Sequence, residues 1–207
     1  MKKVLAAIIL CSAFIFSINA DEITFSAAES QVRLKDGMES VVLAGEACVE
    51  TGSITIRADE INLSGKDWGI IECTGSVSIV DSERNLSIIT SLLWYDRINE
   101  RLLIASYFEI EDRENGMSAS ANHLEYDMAE ERLKLKAQVR FSKINGDDVI
   151  TGKSESFTYD RENELITLQG RCSVIYKGDS YEAEQITLDM ENDSISLSSA
   201  IRGTING

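Results

Sequence analysis

Large apolar residues recur in pairs two positions apart: Val32/Leu34, Ile61/Leu63, Leu93/Tyr95, Leu124/Tyr126, Phe157/Tyr159 and Ile186/Leu188. The steps between the second members of successive pairs are 29, 32, 31, 33 and 29 residues. Such a fixed period marks a repeat architecture, in which each unit buries its apolar face against its neighbours. Eleven or twelve positions beyond each pair stands a small residue: Gly45, Gly75, Ser106, Ala137, Gly170 and Ser199. Two positions before it lies Leu43, Cys73, Ile104, Leu135, Leu168 or Leu197, and two after it Ala47, Val77, Phe108, Val139, Cys172 or Ile201. This period-two alternation, with a small residue in its middle, predicts a strand with one buried face. A second strand precedes each pair, carrying Ile54/Ile56, Leu86/Ile88, Met117/Ala119 and Ile150/Gly152. Its alternation changes phase once before the pair, which predicts a β-bulge or sharp bend there.

Between the two strands lie turn-forming residues, among them Thr51-Gly52, Asp81 to Asn85, Asp112 to Gly116 and Asn145-Gly146-Asp147. Four of the apolar pairs are followed directly by Asp (Asp96, Asp127, Asp160, Asp189), whose carboxylate starts turns by accepting backbone N–H groups. Two strands per repeat, with short links at both ends, predict consecutive antiparallel hairpins. The expected fold is an elongated all-β antiparallel stack of about a dozen strands, built from repeats of about 31 residues. A parallel β-helix is the rival architecture, and two short turn regions per repeat count against it. Proline is absent from all 207 residues, so long ladders run uninterrupted.

The N-terminus changes the compartment. Lys2 and Lys3 precede an uncharged, largely apolar run from Val4 to Ala20, and Asp21 follows. Residues 1–20 read as a secretory signal peptide cut between Ala20 and Asp21, with an uncleaved anchor as the alternative. Removing them takes away two lysines and no acid, so a formal charge of −15 becomes −17. Such acidity excludes a nucleic-acid binder, which needs a basic surface. Cleavage also leaves three cysteines, Cys48, Cys73 and Cys172, an odd number that predicts no structural disulfide framework. Cys73 and Cys172 fall on inward positions and read as small apolar residues, whereas Cys48 is offset outward.

Some segments resemble a known family. Ile23-Thr24-Phe25-Ser26-Ala27-Ala28 followed by Val32-Arg33-Leu34 looks like the first half-repeat of the OstA-like proteins. Ile56-Arg57-Ala58-Asp59-Glu60-Ile61-Asn62-Leu63 matches that family's recurring segment more closely. Leu43-Ala44-Gly45-Glu46-Ala47-Cys48-Val49 and Leu168-Gln169-Gly170-Arg171-Cys172-Ser173-Val174 resemble its other half. Within the family the best match is the LptA group, and the resemblance covers residues 21–207 as one OstA-like β-jellyroll domain. It implies a β-taco or semi-closed jellyroll in which two sheets form a V around an apolar groove. It further implies a periplasmic carrier of lipopolysaccharide or another glycolipid, bridging inner and outer membranes by head-to-tail stacking of strand edges. LptC-like and LptD-like jellyroll proteins, or further copies of the chain, would be its partners. An LptC-like anchored member and a ligand-free β-solenoid scaffold are the alternatives.

Transport of this kind needs shielding rather than catalysis. Each methylene exposed to water costs about 0.8 kcal/mol, so one chain of about a dozen carbons costs on the order of 10 kcal/mol. The expected groove lining is Val77, Ile79, Ile104, Phe108, Ile110, Val139, Phe141 and Val174. Leu93, Tyr95, Leu124, Tyr126, Phe157 and Tyr159 are expected to form the opposing wall. The carrier reading requires that the slot stay accessible to a hydrocarbon tail. Exposed strand edges are expected around Phe25 to Leu34 and Ser196 to Ile201, where a partner strand can add.

Nothing in the chain points to an enzyme, a cofactor or a metal. His123 is the single histidine and has no spaced Cys or His partner. The acid pairs Glu111-Asp112, Glu130-Glu131 and Asp147-Asp148 fall in turns and read as solvated charges, and no nucleotide or nucleophile-elbow motif is present. Arg132, Lys134, Lys136, Arg140 and Lys143 form the one basic run, read as a solvated strand face with a head-group contact as the alternative.

Overall fold

In a computed structural model of the chain, residues 22–35 and 38–205 are described, and nearly all of them lie in strands or the turns between them. The proposed signal segment falls outside this range. The strands are β1 (Ile23–Ser26), β2 (Glu29–Lys35), β3 (Met38–Thr51), β4 (Ile54–Ser64), β5 (Ile70–Asp81), β6 (Leu86–Asp96), β7 (Arg101–Ile104) and β8 (Phe108–Asp112). They continue as β9 (Met117–Ala121), β10 (His123–Asp127), β11 (Arg132–Asn145), β12 (Asp148–Asp160), β13 (Leu165–Tyr176), β14 (Asp179–Asp189), β15 (Ser194–Ser198) and β16 (Arg202–Thr204). Their pairings are all antiparallel and join into one sheet that follows chain order. β7 and β8 both pair with β6, and β9 and β10 both pair with β11. β1 and β2 share β3, and β15 and β16 share β14. Each of these four couples is one strand broken in the middle, so the segments amount to the dozen strands expected.

The break and the bulge are one feature. Register shifts fall at Ala44/Ala47, Arg57/Glu60, Thr74/Val77, Lys136/Val139, Lys153/Ser156 and Gln169/Cys172. The sheet therefore folds along a single line that crosses both strands of every repeat, not only the second strand. The small residue mid-strand is not an inward position, as the alternation suggested, but part of the corner itself. Gly45 and Glu46, Ala137 and Gln138, Gly170 and Arg171, and Ser199 and Ala200 are consecutive left-handed residues, with φ between 45° and 79°. Two such residues shift the pleat and swing the strand into a new direction. At Gly75 the φ of 98° combines with crowding: a Cβ there would strike Asp59, whose carboxylate accepts the Ser76 N–H at 3.0 Å.

The line divides the sheet into two walls. The anchor wall carries the apolar pairs, from β2 through the ends of β4, β6 and β12 to β15. The far wall comprises β1, the other halves of the long strands, β8, β9 and β16. Inward residues of both walls merge into one core, in which Ile56, Ile61, Ile104, Phe108, Leu124, Phe157 and Tyr159 are fully buried. Where the strands end away from the fold line, turns form two facing rims. The aspartates after the apolar pairs cap them as expected: Asp96, Asp127, Asp160 and Asp189 each accept a backbone N–H three residues on, at 2.9–3.2 Å. Asp81 and Asp112 do the same on the far rim.

These caps make the fold acid-sensitive. Burial raises the Asp96 and Asp160 carboxyls, but the bonds from Asn99 and Asn163 outweigh it and hold both below the usual range. The Asn192 side chain and backbone hold Asp189 low as well. Glu125 is pushed down to about 2, first by Lys136 and then by His123. Groups lowered in the fold contribute stability that is present above their unfolded values and disappears as pH falls through the folded ones. The melting temperature is therefore expected to stay nearly flat from about pH 7 to 5 and to fall steeply below about pH 4. A melting temperature that climbed down to about pH 3 would mean that relief of the large negative charge dominates instead.

Candidate functional site

All fourteen residues expected to line the groove face the space between the walls, and each is no more than 5% exposed. Val77, Ile79, Phe108, Ile110, Val139, Phe141 and Val174 lie on the far wall. Leu93, Tyr95, Leu124, Tyr126, Phe157 and Tyr159 lie on the anchor wall. Ile104 differs from the expectation: it pairs with Leu124 and belongs to the anchor wall, because the fold line runs between it and Phe108.

The walls touch, so the slot does not stand open in the way the carrier reading requires. Phe141 of the far wall and Phe157 of the anchor wall meet with ring centroids 5.2 Å apart, and Tyr159 follows at 6.5 Å from Phe157. Gly152, opposite Phe141 in the ladder, leaves room for that ring; a Cβ there would collide with it. One interior space, lined by Ile56, Ile79, Ile88, Tyr95, Tyr126 and Met128 among others, measures about 10 Å³. That is room for about one water molecule and far less than an acyl chain needs. Bulky side chains from facing walls fill the V, as close packing of apolar interiors requires.

The mouth of the V is held by ions. Arg161, from the anchor rim, donates through Nε to Asp112 Oδ2 at 2.7 Å on the far rim, and both side chains are buried. The same guanidinium reaches Glu131 at 3.1 Å, Glu114 at 3.1 Å and the Arg84 carbonyl at 3.2 Å. Arg84, on the far rim, donates to Asp81 at 2.9 Å and crosses to the Met128 carbonyl at 3.3 Å, with Glu131 3.5 Å away. Farther along, buried Lys143 donates to the Asn115 carbonyl at 2.7 Å and lies 3.8 Å from Glu164, while Asn145 donates across to Asp193 at 3.1 Å. Burial raises the Asp81 carboxyl, but the bonds from Ser53 and Arg84 and the Arg84 charge outweigh it and hold it low. Burial first, with Asp81 and other nearby carboxylates adding to it against the opposing arginines, pushes the Tyr95 and Tyr126 phenols up to about 12.

Two sequence expectations are corrected here. Asp112 is not a solvated turn charge but the innermost anion of this seam, because Arg161 folds over the mouth onto it. The basic run is not one solvated face: Lys143 points inward, Arg132 is tied to Glu130 and Asp160, and Lys136 to Glu125. Lys134 and Arg140 remain exposed. Arg84 and Arg161 were not singled out from the sequence; the available signal is an arginine directly after a turn aspartate, as in Asp160-Arg161. His123 sits outward, 3.0 Å from Glu125. Cys73 and Cys172 are buried free thiols and Cys48 is half-buried. Among the described residues no cluster of three potential metal ligands occurs, and no helix is long and apolar enough to cross a membrane.

At both ends the sheet stops without a further partner strand among the described residues. β1 and β2 pair only with β3, and β15 and β16 only with β14. Phe25 and Val32 at one end and Ile201 and Ile205 at the other are more than half exposed.

No protein-family model matches the chain, and no curated protein matches it either. Among solved structures it is similar to LptH from Pseudomonas aeruginosa, described as the LptA homologous periplasmic component of the conserved lipopolysaccharide transport device. The identity is 13%, over 90% of this chain and 96% of that one, with a TM-score of 0.31. At that level the likeness assigns neither cargo nor partners.

Proposed function

We propose that the chain is a periplasmic carrier that shields the acyl chains of a lipid, lipopolysaccharide or a related glycolipid, between its two walls. The reading rests on one observation above all: both walls present apolar side chains without interruption from β3 to β14, while the sheet ends free at each side. A lipid tail admitted between parted walls would lose its contact with water and would meet few deep polar groups, the Tyr126 and Tyr159 hydroxyls and the inward Lys143 among them. Free edges with exposed apolar residues suit head-to-tail addition, either of further copies or of related jellyroll partners. The net negative charge disfavours an anionic head group unless cations intervene.

The closed interior favours a second reading, a structural scaffold whose core is simply packed. Photo-crosslinking groups placed at Phe108 and Phe141 distinguish the two. Lipid attached at both positions in cells, and lipid travelling with the purified protein in mass spectra, is the expected result. Crosslinks confined to protein, with no lipid extracted, would leave the scaffold.

A further inference from the structure

A carrier with touching walls must open somewhere, and the mouth is not uniform. Between the far-rim turns at Thr51–Ser53 and Glu83–Arg84 and the anchor-rim residues Arg97, Glu100 and Met128 lies a cavity of about 300 Å³. It abuts the interior space of about 10 Å³, with which it shares Ile54, Tyr95 and Met128. Arg84 stands at its border. From that residue onward ion pairs and hydrogen bonds cross the mouth, first Arg84 to the Met128 carbonyl and Glu131, then Arg161 to Asp112 and Glu114. One more feature marks the interior beneath the cavity. Tyr126 is 2% exposed and lines the interior space, yet its hydroxyl has no hydrogen-bond partner among the described residues. A buried donor of this kind is costly to leave unpaired, and an acyl carbonyl is an acceptor that fits it.

We propose that this cavity is the port through which a single acyl chain enters the space between the walls, and that the Arg84–Glu131 contact is the latch that must part to admit it. The inference rests on the carrier reading for its ligand but not for its latch. The chemistry on each side is complementary to an acylated amphiphile: charged and polar groups at the rim, a phenol below it, and mainly apolar side chains beyond, with a second buried phenol at Tyr159. Arg84 is the weaker of the two cross-mouth arginines: it joins Asp81 on its own rim to the Met128 carbonyl and, at 3.5 Å, to Glu131 on the other, whereas Arg161 joins Glu131 to three groups across the mouth. Releasing its Glu131 contact leaves the far-rim turn nearest the port held across the mouth by the Met128 carbonyl and, through the Arg84 carbonyl, by Arg161, while Arg161 still clasps Asp112 further along.

Cys73 reports opening without any lipid. It faces inward on the anchor wall at 1% exposure, and burial pushes its thiol up to about 12, so it reacts with maleimide only when water reaches it. In the full mature chain, Arg84→Gln, and Glu131→Gln, which also loosens Arg161, are expected to speed N-ethylmaleimide labelling of Cys73 about tenfold, with a smaller effect on Cys172, which lies beside the fold line towards the C-terminal end of the sheet. Arg113→Gln, which removes an exposed pair with Glu111 on one rim, serves as the control and should leave both rates unchanged. In the same variants, lauroyl lysophosphatidylcholine should displace N-phenyl-1-naphthylamine faster, with the final occupancy little altered. Tyr126→Phe should weaken that displacement without changing Cys73 labelling. Unchanged Cys73 rates in both latch variants would overturn the proposal. So would equal acceleration at Cys73 and Cys172 with a lowered melting temperature, which is general unfolding. If Cys73 responds as stated but neither probe binds any variant, the latch stands and both the port and the carrier reading fail.

Discussion

Arg161→Met is expected to destabilise the fold by about 3–5 kcal/mol, whereas Arg161→Met combined with Asp112→Leu should cost only about 1–2 kcal/mol. The asymmetry follows from burial. Asp112 is fully buried, and the guanidinium that meets it through two nitrogens is almost as deep, 1% exposed. Taking away the arginine leaves a carboxylate in the interior that, among the described residues, keeps the N–H and side-chain amide of Asn115 at 3.1 and 3.0 Å. Taking away both charges removes the desolvation cost together with the attraction, and the residual loss is that of the turn bonds to Asn115 and of the Arg161 bonds to Glu131, Glu114 and the Arg84 carbonyl. Urea unfolding of the two variants and the parent decides the matter. A single variant within about 1 kcal/mol of the parent would mean that water already reaches Asp112 and that the mouth is looser than the geometry indicates.

What could be read from the sequence and what could not separate along physical lines. Inward alternation is written in side-chain hydropathy, so the apolar pairs from Ile61/Leu63 to Ile186/Leu188 and their flanking strands fall in the core as the alternation implies. The corner is written in backbone conformation. Gly45, Gly75 and Gly170 hint at it, but Ala137-Gln138 and Ser199-Ala200 adopt left-handed geometry with side chains that give no warning. Hydropathy therefore reads a continuous strand where the sheet folds, and it groups Ile104 with Phe108 although the fold line separates them. The seam is written in neither pattern. Arg161 and Asp112 are 49 residues apart and meet only because two walls lean together and bring their rims into contact. Whether the space between the walls is open is a matter of summed volumes: it depends on how Phe141, Phe157 and Tyr159 pack across the gap, and no one-dimensional pattern carries that.

Phe157→Ala is expected to cost about 3–5 kcal/mol, because it deletes a fully buried ring at the contact between the walls and the surrounding strands close only partly over the space left. The same variant tests what the interior is. Any apolar cavity will take up a small hydrocarbon, so binding alone decides nothing. Chain length does. In a slot that continues along the stack, the affinity of alkyl lysophospholipids should rise from eight to twelve carbons by about 0.8 kcal/mol for each added methylene, since each is withdrawn from water between the walls. In an isolated hole within a sealed core, affinity should stop rising once the hole is filled, and longer chains should bind no better than short ones. Calorimetric titration of the chain-length series against Phe157→Ala therefore distinguishes a passage from a core, even though the stability loss is the same in both. A plateau at eight carbons would count against every transport role, because a lipid cannot slide along walls that part only where a ring has been removed.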